Sequence, residues 1–194
     1  MINALYEPFP ESVFADGKEY PIITDFREWF KFADMTADKE LSDREKLVLM
    51  TGWLLDEPDR ITNELVTALC DFYRAKALEP DPPEYYDDEP QEDSVTAPPV
   101  LNWKIDATFI IGDFLHYYGI DLLTAEMHWW RFRILFSALP EDSQMMKRIA
   151  YRGADLGQIQ NESERKRIMK MKQLYALPFE LDDEAIGAVF GGTM

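Results

Sequence analysis

The two histidines are the residues of this sequence whose spacing first suggests chemistry. His116 and His128 are the only histidines in the chain, and Asp121 and Glu126 lie between them, so both ligand types of a metal site are close in sequence. The spacing is unfavourable, because Gly119 is expected to end a helix between the histidines, and Glu126 and His128 point in different directions. No His-Glu-x-x-His motif occurs. We therefore expect structural histidines, with no metal and no cofactor site.

Motifs for catalysis are also missing from the sequence. It contains no Walker A loop, no Gly-x-Ser-x-Gly and no Gly-x-Gly-x-x-Gly. The single cysteine, Cys70, excludes an intrachain disulfide and any cysteine-rich zinc or iron–sulfur site. It shares a predicted apolar helix face with Leu65 and Leu69, which favours a small buried hydrophobe. We expect no catalytic residues and a protein that is not an enzyme.

The net charge argues against two classes of partner, nucleic acid and membrane lipid. The chain has 20 Lys+Arg against 37 Asp+Glu, which gives −17 and a pI near 4.4. A nucleic-acid binder needs a net basic face, and anionic lipid repels an acidic protein. Residues 1–8 lack the features of a secretory signal, and no run reaches the ~18 apolar residues of a transmembrane helix. We expect a soluble, cytoplasmic protein that binds neither nucleic acid nor membrane.

A proline-rich acidic tract interrupts the chain at residues 79–99. It holds eight acidic residues, no basic residue and six of the 12 prolines. Repulsion between like charges and the missing helix donors of proline both oppose compaction, so we predict a solvated linker or long loop. Its concentrated negative charge would also help to keep a protein with apolar surfaces soluble.

The elements that must position any site are mostly helices. Asp16-Gly17 predicts a tight turn and a β-hairpin over residues 12–23. Capping signals at Asp25 and Ser42, with apolar residues recurring at spacings of three and four, predict helices. The sum is a mainly α fold: a helical bundle of about six or seven helices, with a small N-terminal β-hairpin and a long acidic loop. We predict a single helical domain over residues 1–194, with 24–77 and 103–176 packing as one core.

Two of these predictions concern individual helices. The helix that opens at Ser42 is expected to turn Leu47, Met50 and Leu54 inward, with Trp53 as a further candidate. A short helix is expected around residues 182–190, before the C-terminal glycines.

An aromatic cluster at residues 127–132 is the first candidate for binding a partner. Trp130 falls on one predicted helix face with Met127, whereas Trp129 shares another face with Phe132 and Phe136. Both faces can be core, because a central helix is apolar all round. Alternatively, one face stays partly open as a groove, in which case Trp129, Phe132 and Phe136 contact the partner.

The predicted helix over residues 161–175 is basic within an acidic chain. One interpretation is a surface helix that docks through an apolar stripe and turns its cations to water. The other is that it pairs with an acidic surface of another copy, of a client protein or of the acidic tract, with Arg165, Lys166 and Arg167 as electrostatic helpers. The proposed stripe consists of Ile168, Met171, Leu174 and Tyr175.

Four stretches together resemble a bacteriophage family named for gene product fifteen, found in tailed phages and prophages. The His-Trp-Trp-x-Phe cluster is the most specific of them, and the resemblance covers nearly the whole chain, with the acidic tract as its variable part. The stretches are Tyr20-Pro21-Ile22 with Thr24-Asp25-Phe26-Arg27, Tyr118-Gly119-Ile120-Asp121-Leu122, Met127-His128-Trp129-Trp130-Arg131-Phe132 and Ala150-Tyr151-Arg152.

The resemblance implies a role in tail morphogenesis. Such genes lie near that of the tape-measure protein, where siphophages encode tail assembly chaperones. The implied function is a chaperone that binds the tape-measure protein or the tail-tube subunit in the cytoplasm of the infected or lysogenic host, with homo-oligomers as a further possibility. Two alternatives are a structural tail component or adaptor of the virion, and an acidic regulator that sequesters a basic protein. The family brings no catalytic residues.

Overall fold

The computed structural model describes residues 3–78 and 99–178, and 55% of these are helical. The mainly α fold is confirmed, with seven helices and one two-stranded antiparallel hairpin in the described residues. Apart from Pro99, the acidic tract lies outside them, as does the helix predicted at 182–190. The elements are β1 (Ser12–Ala15), β2 (Lys18–Pro21), α1 (Phe26–Ala37), α2 (Asp43–Met50), α3 (Asn63–Arg74), α4 (Ala107–Tyr118), α5 (Trp129–Ser137), α6 (Gln144–Gly153) and α7 (Glu162–Tyr175).

Side-chain caps explain where the helices begin. Ser42 accepts a hydrogen bond from the Glu45 amide while the Glu45 carboxylate accepts from the Ser42 amide, which is the capping box that the sequence predicts. Asp25 caps α1 by accepting from the amide of Arg27. These contacts satisfy amides that have no partner inside the helix.

The hairpin forms where Asp16-Gly17 predicts it. Both residues have positive φ, 53° and 75°, as a type I′ turn requires. Val13 pairs with Tyr20, and both side chains are buried on the face of the ribbon where α3 packs on β1. The tertiary contact supplies the stability that an isolated two-stranded hairpin lacks.

The described residues divide into two compact units. The N-terminal unit comprises residues 3–78 and 114–139, and the C-terminal unit comprises 99–113 and 140–178. The division does not follow the acidic tract, since 114–139 cluster with the N-terminal part of the chain. The single domain over residues 1–194 stays a prediction.

The N-terminal unit has an aromatic core formed by α1, α3 and α5. The sequence predicts this helix from about Thr124, but α5 begins at Trp129, because His128 is extended and forms an isolated β-bridge with Asp25. The large side chains of this unit that are fully buried are Trp29, Phe32, Leu65, Leu69, Phe114, Trp129 and Phe132.

The C-terminal unit is built on polar contacts between α6 and its neighbours. Asp106 and Arg152 are both buried and form a bidentate ion pair, with N–O distances of 2.7 and 2.8 Å. The carboxylate of Asp113, on α4, accepts from the first amides of α6, at Gln144 and Met145, so it caps that helix.

Candidate interaction surfaces

The aromatic residues of α5 are part of the core. Trp129, Phe132 and Phe136 are all buried, so of the two interpretations the one that treats them as core agrees with the structure, and no open aromatic groove is present at these positions. The physical reason is that α1 and α3 cover the face of α5 that carries these residues. The Trp129 ring stacks on Tyr73 of α3 at a centroid distance of 5.5 Å, and Phe132 stacks on Phe26 of α1 at 5.3 Å.

The tryptophans of α5 also cap the C-terminus of α3. The last carbonyls of a helix have no partner within it. The indole N–H of Trp130 donates to the Phe72 carbonyl at 2.8 Å, and that of Trp129 donates to the Tyr73 carbonyl at 2.7 Å. Trp129 and Trp130 therefore both have a structural role, which accounts for the two consecutive tryptophans.

Arg27 joins two of the stretches on which the family resemblance rests, 24–27 and 118–122. The guanidinium of Arg27 donates to the carbonyls of Leu122 and Ala125 at 2.9 and 2.8 Å. The backbone beside it pairs as well, since the amide of Phe26 donates to the Met127 carbonyl. Arg27 thus holds the loop before α5 against the start of α1.

Arg152 has the corresponding position in the C-terminal unit. Besides the pair with Asp106, its guanidinium donates to the carbonyls of Val100 and Tyr175 at 3.0 and 2.6 Å. In the sequence, Ala150-Tyr151-Arg152 stands out only through the family resemblance, and the pairing of Arg152 with Asp106 was not predicted. No local signal could reveal it, because Asp106 is 46 residues away.

A run of three exposed apolar residues lies on α2. Leu47, Val48 and Leu49, which we call the α2 surface, are 37%, 57% and 45% exposed. Met50 and Leu54 are buried as predicted and Trp53 is half-buried, but the expectation that Leu47 faces inward is wrong.

The sequence of α2 explains this exposure. Residues 47–50 are four consecutive apolar side chains, and on a helix they point about 100° apart and so encircle it. A neighbour that covers one side of a helix cannot cover all four. The consecutive spacing was a signal that could have identified the surface from sequence.

The basic helix α7 exposes its cations. Arg165, Lys166 and Arg167 are all exposed. Lys166 pairs with Glu162 at 2.8 Å and Arg167 with Glu164 at 2.7 Å, and the pKa of Glu164 is lowered by its hydrogen bond from Arg167. Their role as electrostatic helpers stays a prediction.

The apolar stripe predicted for α7 is only partly correct. Ile168, Met171 and Tyr175 are half-buried, whereas Leu174 is 69% exposed. The helical angles account for this, because Leu174 lies about 100° from Tyr175 and falls outside the arc that faces the rest of the C-terminal unit.

Comparison with known proteins places the chain in a family. The family model for the Bacteriophage Gp15 protein matches residues 5–177. The chain belongs to the bacteriophage Gp15 family. No curated protein and no solved structure matches it.

The histidines of this Gp15-family chain are far from forming a ligand set. His116 is exposed, while His128 caps α5 by accepting from the Trp130 amide and contacts the Pro10 carbonyl, each at 3.0 Å. Across residues 3–78 and 99–178, no group of three potential metal ligands comes together.

Cys70 and the apolar character of the helices can also be described for the Gp15-family chain. Cys70 is half-buried, and desolvation by burial raises the pKa of its thiol, which favours the neutral, unreactive form. Within the same described ranges, none of the helices has both the length and the apolar character needed to cross a bilayer.

Proposed function

We propose that this Gp15-family protein is a tail assembly chaperone that binds the tape-measure protein or the tail-tube subunit, and that its α2 surface contacts the client. The observation that carries the proposal is the exposure of three consecutive apolar residues, Leu47, Val48 and Leu49, on a short helix. Contiguous apolar residues open to water are typical of sites that bind another polypeptide.

The chemistry of the α2 surface suits a helical client. Val48 is the most exposed of its three residues, and Leu47 and Leu49 flank it at about 100° on either side. An amphipathic client helix can lay its apolar side along Val48 and contact the two leucines at its edges. Binding is then stoichiometric and reversible, as a chaperone requires. The net charge of −17 keeps the protein soluble before and after it binds the client.

Because Trp129, Phe132 and Phe136 are buried, we assign them a structural role instead of contact with the client. They hold α1, α3 and α5 together and so keep the N-terminal unit folded. We propose that they do not touch the client, and that substituting them affects binding only through folding.

Co-expression with the tape-measure protein of the same phage, followed by pull-down, tests the proposal. We expect the wild-type chain to raise the soluble yield of the tape-measure protein and to copurify with it. The variant carrying Leu47→Ser, Val48→Ser and Leu49→Ser is expected to bind at least about tenfold more weakly, because it removes apolar area from the interface.

A matched control replaces two other exposed leucines of the N-terminal unit, Leu115→Ser and Leu123→Ser, which are 54% and 71% exposed. This control is expected to bind as the wild type does. Equal binding by the α2 variant and the control would refute the assignment of the surface. Failure of the tape-measure and tail-tube proteins to copurify, together with recovery of the chain from purified virions, would favour a structural tail component instead.

A further inference from the structure

The outer face of α7 is the least explained surface of the C-terminal unit. With successive residues about 100° apart, Arg165, Lys166 and Lys170 fall within one half of the helix circumference, together with Met169 and Leu174. Met169 is 43% and Leu174 69% exposed. This half, which we call the α7 outer face, is cationic and apolar at once.

Positive charge on the α7 outer face is only partly neutralised. α7 has five basic residues against two acidic ones. Glu162 and Glu164 pair with Lys166 and Arg167. Within residues 3–78 and 99–178, neither Arg165 nor Lys170 has a carboxylate oxygen within 4.0 Å. An acidic partner would therefore gain charge pairs here without displacing existing ones.

The sequence that follows α7 has the complementary composition. Residues 179–194 contain four acidic residues, at 180, 182, 183 and 184, and no basic residue. Apolar residues follow at Ile186, Val189 and Phe190, with the spacing of three and four that predicts one apolar helix face. The segment is thus acidic and apolar where the α7 outer face is basic and apolar.

We propose that residues 179–194 dock on the α7 outer face of the same chain, with the carboxylates at 182–184 beside Arg165 and Lys170 and the apolar residues over Met169 and Leu174. The acidic cluster begins seven residues after Tyr175, which allows a reach of up to about 24 Å. α7 itself is about 21 Å long, so the whole face is within reach.

The point from which this segment departs is fixed. The Tyr175 carbonyl accepts from Arg152 at 2.6 Å, and the Tyr175 ring lies under the guanidinium of Arg148, 4.6 Å from its centroid. Tyr175 lies about 180° from Lys166 around α7, so these contacts hold the inner side of the helix and leave the α7 outer face open to the segment.

Tethering favours this occupant over a separate molecule. A segment joined directly to α7 has an effective concentration in the millimolar range. The acidic tract at 79–93 has more carboxylates, but its only strongly apolar residues are Tyr85 and Tyr86. It would neutralise the cations without covering the apolar positions. The inference does not depend on the proposed chaperone function.

Carbodiimide cross-linking of the full-length monomer, read out by mass spectrometry, tests the docking. The reagent joins lysine amines to nearby carboxylates. We expect links from Lys166 and Lys170 to the carboxylates at 180–184. Links from these lysines only to residues 79–93, links that form only between isotopically distinguishable copies, or no link beyond Lys166–Glu162 would each overturn the proposal.

Charge reversal gives an independent readout through hydrogen exchange. With Asp182→Lys, Asp183→Lys and Glu184→Lys together, α7 amides are expected to exchange about fivefold faster, because the covering segment is released. Adding Arg165→Glu, Lys166→Glu and Lys170→Glu is expected to restore the protection. The matched control reverses Asp87, Asp88 and Glu89 and should leave α7 unchanged. Equal effects of the two acidic reversals, or no restoration, would refute the docking.

Discussion

The two units of the molecule are stabilised by different chemistry. In the N-terminal unit, aromatic rings of α1, α3 and α5 pack on one another, and the polar contacts of Trp129 and Trp130 are neutral hydrogen bonds to helix-end carbonyls. In the C-terminal unit, the central contact is between two buried charges, Asp106 and Arg152. The aromatic core depends on shape and apolar area, whereas the Asp106–Arg152 contact depends on both partners being present.

The difference determines how each unit responds to substitution. An aromatic core loses stability in proportion to the volume removed, and its neighbours can relax into the gap. A buried ion pair that loses one partner leaves an uncompensated charge, whose desolvation cost is not recovered. The C-terminal unit should therefore be the more sensitive to a single polar substitution.

The largest effect is expected for Asp106→Ala. The Arg152 guanidinium would remain buried without its carboxylate, at a cost of about 3–5 kcal/mol. Urea unfolding followed by circular dichroism measures the loss, and hydrogen exchange locates it. We expect faster exchange in α6 and α7 and unchanged exchange in α1 and α3.

Glu141→Ala is the control for this substitution, since Glu141 is an exposed carboxylate of the same unit. Its effect should stay within about 0.5 kcal/mol. If Asp106→Ala costs no more than the control, or if α1 and α3 lose protection as strongly as α6, the contrast between the units is wrong.

A smaller effect is expected for Trp129→Phe in the N-terminal unit. Phenylalanine keeps most of the stacking on Tyr73 but cannot donate to the Tyr73 carbonyl, which the indole N–H contacts at 2.7 Å. The expected loss is about 1–3 kcal/mol, the cost of leaving one polar group unpaired. The same urea titration measures it, and a loss as large as that of Asp106→Ala would contradict the comparison.

Local signals made part of the fold predictable. The hairpin at Asp16-Gly17 and the capping box at Ser42 and Glu45 depend on residues a few positions apart, so the sequence encodes them directly. The end of α4 was also predictable from a local signal, because Gly119, the residue after the helix, has the positive φ of 66° that glycine favours at a helix end.

Burial of α5 was not predictable in the same way. Its two apolar faces are equivalent in the sequence, and which of them is covered depends on α1 and α3, which are remote along the chain. Which residue of α2 packs inward was not predictable for a related reason: four consecutive apolar residues show that some must be exposed but do not indicate which one is covered. The charged core of the C-terminal unit depends on Asp106 and Arg152, which no periodicity connects.

The smallest effect concerns pH and the N-terminal unit. Desolvation by burial lowers the pKa of His128 below its usual value of 6.5, although the hydrogen bond with Pro10 and the charge of Glu11 oppose this. Nδ1 accepts from the Trp130 amide, so the neutral ring with its proton on Nε2 fits the site. The unfolded chain then binds the proton more tightly than the folded chain, and stability falls as the pH decreases through 6.5 and below.

Thermal unfolding of the wild type and of His128→Asn between pH 7.5 and 5 isolates this contribution. Asparagine can still cap α5 but does not titrate. We expect the wild type to lose more Tm than the variant over this range, because only the wild type takes up a proton at residue 128 more readily when unfolded. His116→Asn, at an exposed histidine, should follow the wild type. Parallel curves for the wild type and His128→Asn would show that protonation of His128 does not affect the stability of the N-terminal unit in this pH range.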